Sequence, residues 1–473
     1  MLFNSFEFFL FLPVVFVLYW FVLNKSLKWQ NALVLGASYF FYGWWSYKFM
    51  VLLMLSTALD YAYGFWVASP NRKKAKLFLW LSVLNNLGIL AVFKYYNFFA
   101  LQFQEGLGLI GLHTNPVLLQ VALPIGISFY TFHGMSYVFD IYRGQQKPVR
   151  NFVDYAVFVS FFPLLVAGPI ERANHLLPQV QKARIFKYQQ ALEGCRLILW
   201  GLFKKVVIAD AIAEVIDPIF ASYEAYNSPT LILAAIGFAF QIYGDFSGYS
   251  DIALGTAKLF GFELLSNFRF PYFSRDLAEF WRRWHISLSS WFRDYLYIPL
   301  GGSKVGLAKA VRNTFIIFLV SGFWHGASWN FIVWGGIHAC GFLPLLLTKR
   351  NRQNTDTVAQ NRKFPTGKEW RQMLLTFAFV TFAWIFFRAD TLPDALGYIK
   401  AALSNWSALG NITGKSILVL GTLLIVIDWY LRHNERQLRV PKQSAMRLSI
   451  YFVMAIAILL RLGGQQSFIY FQF

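Results

Sequence analysis

Cysteine, charge and acidic side chains are all scarce in this 473-residue sequence, and each scarcity removes a class of protein. There are two cysteines, Cys195 and Cys340, each inside an apolar stretch and without Cys-x-x-Cys spacing. That excludes a disulfide framework and a thiolate zinc or iron–sulfur site, and it suits two packed small hydrophobes better than nucleophiles. Charged residues make up only 14%, against about 25% in a soluble domain. No hydrophilic stretch is long enough for a separate soluble domain, and no internal repeat is visible. Acidic residues number 23 against 43 basic ones, a net charge of +20. In a soluble chain that surplus would point to nucleic acid. Here the basic residues fall in short loops between apolar runs, where they set membrane orientation, so no nucleic-acid partner is expected.

What is abundant is apolar and aromatic. Hydrophobic residues reach 57%, with 51 Phe, 24 Tyr and 17 Trp, and the mean hydropathy is +0.46. A soluble enzyme, a disordered chain and a coiled coil are excluded. The expected fold is an all-α polytopic membrane protein, with residues 1–473 forming a single membrane-embedded domain and the lipid bilayer as its environment. Residues 6–23 make the first span, uncleaved because no basic residue precedes it and no small-residue cleavage site follows. Lys25 and Lys28 hold the next loop in the cytoplasm and put the N-terminus outside. Two spans then lead to the basic run Arg72 to Lys76. Residues 77–99 cross outward, 104–116 stay outside, and 121–142 return to the basic loop 143–150. Further membrane segments are expected at 152–167, 231–259, 331–347, 374–387, 417–431 and 448–460, with cytoplasmic basic loops at 172–187, 349–371 and 432–447. Residues 152–167 are short and flanked by basic residues on both sides, which favours a re-entrant segment. The expected total is about eleven to thirteen membrane helices, some broken, re-entrant or interfacial.

Three stretches carry candidate chemistry. Between residues 267 and 312 the chain turns basic and aromatic, with Arg275, Arg282, Arg283 and Arg293 the densest cationic group. Placed on one helix over residues 280–295, Trp281, Trp284, Leu288, Trp291 and Tyr295 share a face while Arg282, His285, Ser289 and Arg293 form a polar stripe. Such a helix either lies in the membrane interface or lines an enclosed chamber, and the pattern alone fits both. The second stretch is the apolar run 314–348, too long for one span and broken around Trp324, His325 and Gly326. Counting ~1.5 Å per residue from Arg312 puts His325 about 20 Å along the helix axis, deep in the hydrocarbon. An ionisable ring at that depth is a candidate functional residue. Its rival is a neutral core histidine bonded to a carbonyl. His325 and His338 are thirteen residues apart, with no spacing or carboxylate that completes a metal set, so no metal is expected. Third, Asp245 and Asp251 lie within an apolar segment. There they cap helix ends or pair with arginines of the next segment, with paired carboxylates for acid–base catalysis as the weaker option. His113, His133, His175 and His433 are given no role.

At these positions the sequence resembles the bacterial membrane-bound O-acyltransferases. The resemblance rests on DFSGYSD from Asp245 to Asp251, NFRFPY from Asn267 to Tyr272, EFWRRWHISLS from Glu279 to Ser289, and the Trp324-His325-Gly326 triplet. The opening MLFNS, the LPIGISFY string at Leu123 to Tyr130 and the closing FIYFQF at Phe468 to Phe473 resemble the alginate O-acetyltransferase branch. One departure is Gly244, where the family often has an aromatic residue or cysteine.

The resemblance implies a site and a reaction. His325 takes the family's catalytic position and His285 its second polar position. Arg275, Trp281, Arg282, Arg283, Ser289, Arg293, Trp324 and Asp245 become candidates for donor binding or for lining the chamber. The donor would be acetyl-CoA or another acyl thioester from the cytoplasm, with no permanently bound cofactor. The acceptor would be a hydroxyl of an exopolysaccharide or cell-wall polymer such as alginate, outside a bacterial inner membrane, with extracytoplasmic or membrane-anchored acetyltransferases as partners. Acyl transfer to an alcohol requires removal of its proton and stabilisation of the oxyanion, and a buried imidazole, kept neutral by burial, is suited to the first. The alternatives are D-alanyl transfer to teichoic acid from a carrier protein and, from another class, a transporter. A transporter favours repeated halves with matching broken helices, and only one broken segment is seen.

Overall fold

Among the described residues every regular element is helical. The computed structural model describes residues 1–406, 412–462, 466 and 468–471. Among the described residues six helices are long and apolar enough to cross a membrane, and four shorter apolar helical stretches accompany them. This is the multi-pass, all-α architecture expected from composition. The chain divides into two compact units, Met1–Ala191 with Thr256–Leu265, and Leu192–Gly255 with Ser266–Phe473.

The first unit contains α1 (Phe6–Val17), α2 (Leu27–Gly43), α3 (Tyr47–Val67), α4 (Arg72–Leu90), α5 (Tyr96–Leu109), α6 (Ile127–Tyr142), α7 (Phe152–Ser160), α8 (Phe162–Leu165) and α9 (Ala173–Val180). The side chains of Ser5, Ser46 and Asn71 accept the first free N–H groups of α1, α3 and α4, so each helix begins at a good N-cap. A π turn, Ala91–Tyr95, joins α4 to α5 as one helical stretch of 38 residues. Only 28% of its most apolar window is buried by protein, so most of that surface is left to lipid. Residues 152–167 form a helix broken at Phe161, and residues 155–167 are buried throughout, in keeping with a re-entrant segment. Asp60 on α3 is buried but accepts hydrogen bonds from Ser82 (2.8 Å) and Asn86 (2.9 Å) of α4. His133 accepts the Glu171 N–H at 3.0 Å, a satisfied core histidine.

The second unit takes most of α10 (Tyr188–Leu202), then α11 (Asp210–Ala221) and most of α12 (Ser228–Leu259). After these come α13 (Leu277–Arg283), α14 (Ile286–Phe292), α15 (Leu307–His325), α16 (Trp329–Leu347), α17 (Gly367–Arg388), α18 (Leu392–Ser404), α19 (Ser416–Leu431) and α20 (Ser444–Leu459). Residues 187–231, where no membrane segment is expected, hold α10, a π turn (Phe203–Ala209) and α11, and among the described residues none of these is a candidate membrane span. The stretch carries the charges of Glu193, Arg196, Lys204, Lys205 and Asp210. Both lysines are buried in ion pairs: Lys204 with Asp251 (2.8 Å), and Lys205 with Asp210 (2.7 Å) and Asp245 (2.9 Å). Asp245 and Asp251 thus pair with lysines that precede them, not with arginines of the following segment. At Gly244 a Cβ would already lie 3.3 Å from Ala209 and 3.4 Å from the Lys204 carbonyl, so an aromatic side chain has no room there.

Two further expectations are corrected. Cys195 and Cys340 lie on exposed surfaces instead of packing inside. The single helix over 280–295 is two helices, because His285 adopts the left-handed conformation (φ 42°) between α13 and α14. The stripe of Arg282, His285, Ser289 and Arg293 therefore does not exist as one face.

Candidate active site

The break at His285 is pinned from outside the two helices. The Asn267 carbonyl accepts the Ile286 N–H (2.8 Å), the Asn267 side chain accepts the Ser287 hydroxyl (2.6 Å), and the Arg269 N–H donates to the Arg283 carbonyl (2.9 Å). A non-glycine residue with positive φ is strained, and these bonds hold it there. The strain turns the imidazole inward: His285 is only 1% exposed and stands edge-on to Phe246 of α12 at 4.7 Å. Trp284 and Arg283 are buried with it, which rules out a helix floating in the interface.

His325 arrives from another direction. It is the last residue of α15, and α16 folds back after the Gly326–Ser328 connection. The two helices pack closely because a Cβ on Gly322 would overlap the Phe331 carbonyl and one on Gly335 the Phe318 carbonyl. His325 is 3% exposed and is boxed by Trp324 (4.9 Å), Trp334 (5.2 Å), Phe387 (5.2 Å) and Tyr470 (5.5 Å) between ring centroids. The two histidine rings are 6.5 Å apart, and Trp324 lies 6.1 Å from His285. Among the described residues no three His, Cys, Asp or Glu side chains converge as a metal set would require.

A cavity of about 200 Å³ is lined by Trp281, Ser289, Arg293, Phe318, Ser321 and Arg352, among others. Ser321 is one helical turn before His325 on α15, while Arg352 belongs to the basic connection between α16 and α17. The cavity thus runs from cationic, exposed residues toward the helix end that carries His325.

The arginines divide sharply. Arg293 lines the cavity and pairs with Asp294 (2.7 Å) near the surface. Arg275 is committed elsewhere, to Glu279 (3.0 Å) and Asp356 (2.9 Å), and Arg283 binds Glu279 (2.8 Å). Its hydrogen bond from Arg275 holds the Asp356 carboxyl below the usual carboxylate range. Arg282 donates to the carbonyls of Asn351 (2.9 Å) and Asn354 (2.7 Å). These three tie the α13 region to the connection between α16 and α17 and are not in the cavity wall. Trp281 and Ser289 are in the cavity wall, Trp324 is in the histidine chamber, and Asp245 is behind it.

The profile of the membrane-bound O-acyltransferase family matches residues 34–389, which include both histidines. The chain belongs to that family. Along its whole length it is 36% identical to the probable alginate O-acetylase AlgI of Pseudomonas putida, covering all of that protein too. It is 35% identical to the peptidoglycan O-acetyltransferase of Helicobacter pylori over 85% of this chain and 79% of the relative. The teichoic acid D-alanyltransferase of Streptococcus thermophilus is more distant, 29% identical over 56% of this chain and 68% of the relative.

In this membrane-bound O-acyltransferase, two groups at the chamber escaped the sequence reading. Tyr470 stands against Phe246 (4.6 Å), His325 (5.5 Å) and His285 (6.3 Å). Its signal was the closing aromatic string, legible as a resemblance but not as a chamber wall; Gln472 and Phe473 of that string lie outside the described residues. Lys205 escaped because a lysine in an apolar stretch reads as a loop residue.

Proposed function

We propose that the protein moves an acetyl group from a cytoplasmic acyl thioester to a hydroxyl of an exopolysaccharide or cell-wall polymer outside the inner membrane. The observation that carries this reading is the meeting of His285 and His325, both buried, in one aromatic chamber. The names of the two more similar relatives, an alginate O-acetylase and a peptidoglycan O-acetyltransferase, supply the acyl group and the polymer class. Residues 1–473 act as one acyltransferase domain whose N-terminus is extracytoplasmic.

The donor enters from the cytoplasmic basic loop into the cavity lined by Arg293 and Arg352. Guanidinium forks suit the phosphates of a coenzyme A or phosphopantetheine donor. The pantetheine arm follows the cavity past Trp281 and Ser321 and delivers the thioester carbonyl to the histidines. His325 takes the proton of the acceptor hydroxyl as its oxygen attacks the thioester carbon, and His285 donates a hydrogen bond to the developing oxyanion. The carbon–sulfur bond then breaks, and the departing thiolate takes the proton held by His325. The aromatic walls exclude water, which would otherwise hydrolyse the thioester. An extracytoplasmic partner protein receives or presents the acceptor.

The deciding experiment offers the purified protein labelled acetyl-CoA and, separately, a D-alanyl carrier protein. Label transferred from acetyl-CoA to a polysaccharide or to a partner's hydroxyl supports the reading. Transfer from the carrier protein alone would replace it with D-alanylation.

A further inference from the structure

We propose that Lys205 and Asp245 form a clamp that holds the backbone of Gln466 and Ile469 and thereby positions Tyr470 against the two histidines; the role in transfer rests on the acyl-transfer reading above. An ammonium has three donors to place, and a buried one is costly unless all are used. Lys205 has three acceptors in reach: Asp210 Oδ1 (2.7 Å), Asp245 Oδ1 (2.9 Å) and the Gln466 carbonyl (3.1 Å). The other Asp245 oxygen, Oδ2, accepts the Ile469 N–H at 2.7 Å. One buried ion pair therefore grips the same short segment at two backbone points, through a carbonyl and through an N–H.

Side chains between and beyond these points complete the seat. Phe468 packs on Tyr249 at 4.5 Å, two turns of α12 share the load through Phe246, and Ile469 is 2% exposed. Without the segment, Lys205 would lose one acceptor and Asp245 one donor in a place water does not reach. The pair thus favours the seated segment, and the seated segment brings the Tyr470 ring into the histidine chamber. Lys205 and Asp245 are positioning residues, since both act through the backbone of Gln466 and Ile469.

The test removes one N–H. Ile469 begins a short 3-10 turn, Ile469–Phe471, and the first position of a helical turn tolerates proline. Ile469→Pro deletes the donor to Asp245 without touching the ion pair, whereas Ile469→Val keeps it. In the full chain, a photoreactive benzoylphenylalanine at position 470 reports placement by crosslinking to the peptides that contain Phe246 or Phe387. The account expects that crosslink with Ile469→Val and its loss with Ile469→Pro and with Asp245→Leu. Asp245→Asn, which still offers an oxygen to the N–H, retains more of the crosslink than Asp245→Leu. Acetyl-transfer turnover falls with the crosslink, by about 10²-fold if the ring is displaced by an ångström or more. A crosslink that survives Ile469→Pro overturns the clamp, whatever the enzyme transfers. The crosslink does not depend on turnover, so failure of the clamp and failure of the acyl-transfer reading remain distinct results.

Discussion

The imidazole rings of His285 and His325 lie 6.5 Å apart although forty positions separate them in the chain. Two unrelated devices set that distance. A left-handed residue pinned by Asn267 aims one ring, and a glycine-packed hairpin of α15 and α16 delivers the other. A preorganised pair of this kind needs no rearrangement when charge develops on the reacting carbonyl.

His285→Ala should therefore lower transfer without harming the fold. Loss of one oxyanion donor typically costs about 10²–10³-fold in turnover. The check is turnover of purified, folded enzyme beside membrane insertion, which should match wild type. Unchanged turnover would leave His285 as a packing residue beside Phe246.

The arginines should separate into two classes. Arg275→Ala strips one partner from the buried Glu279 and from Asp356, and should cost about 3 kcal/mol of stability. Arg293→Ala and Arg352→Ala should leave the melting temperature alone and weaken donor binding, because they line the cavity mouth. Wild-type donor affinity should also fall with rising salt, since these exposed charges are screened. Isothermal titration with coenzyme A at two ionic strengths reads both effects. Salt-independent binding would assign these two arginines to the membrane surface instead.

Gly322→Ala tests the hairpin that carries His325. Its new methyl group overlaps the Phe331 carbonyl, and overpacking of this kind costs about 1–3 kcal/mol. Gly336→Ala is the control, because its Cβ meets nothing nearer than Leu319 at 3.9 Å. Thermal melts in detergent should show a drop for the first and no loss for the second. Equal melts would mean that the glycine contact does not hold the hairpin.

The sequence made the membrane class, the broken apolar run and both histidines legible, because hydropathy, the glycines around His325 and the motif strings are local signals. The break at His285 was not legible: no glycine or proline marks it, and its cause is Asn267, eighteen residues earlier. The arginines misled for a related reason. A helical wheel shows which residues share a face, but not that Glu279 and Asp356 wait for Arg275 and Arg283. Lys205 was hidden because its neutralising carboxylates, Asp210 and Asp245, lie on different helices, and hydropathy scores each charge as though it were exposed.

Topology can be read from the one helical stretch that joins α4 to α5. Lys74 and Gln104 are thirty residues apart on it, about 45 Å along the axis, more than the hydrocarbon thickness of about 30 Å. Cysteines placed at the two positions, in a chain lacking Cys195 and Cys340, should label from opposite sides, Lys74 from the cytoplasm. Labelling of both from outside would reverse the orientation and close the cytoplasmic route to the cavity.

The central claim is that His325 removes the acceptor proton, and His325→Gln tests it most directly. Glutamine fills a similar volume and hydrogen-bonds but cannot carry the proton away. Acetyl transfer to the acceptor by the purified, folded variant should fall by at least about 10²-fold, the lower end of general-base assistance, with the melting temperature unchanged. Near-normal transfer by His325→Gln would make His325 a structural histidine and contradict the mechanism.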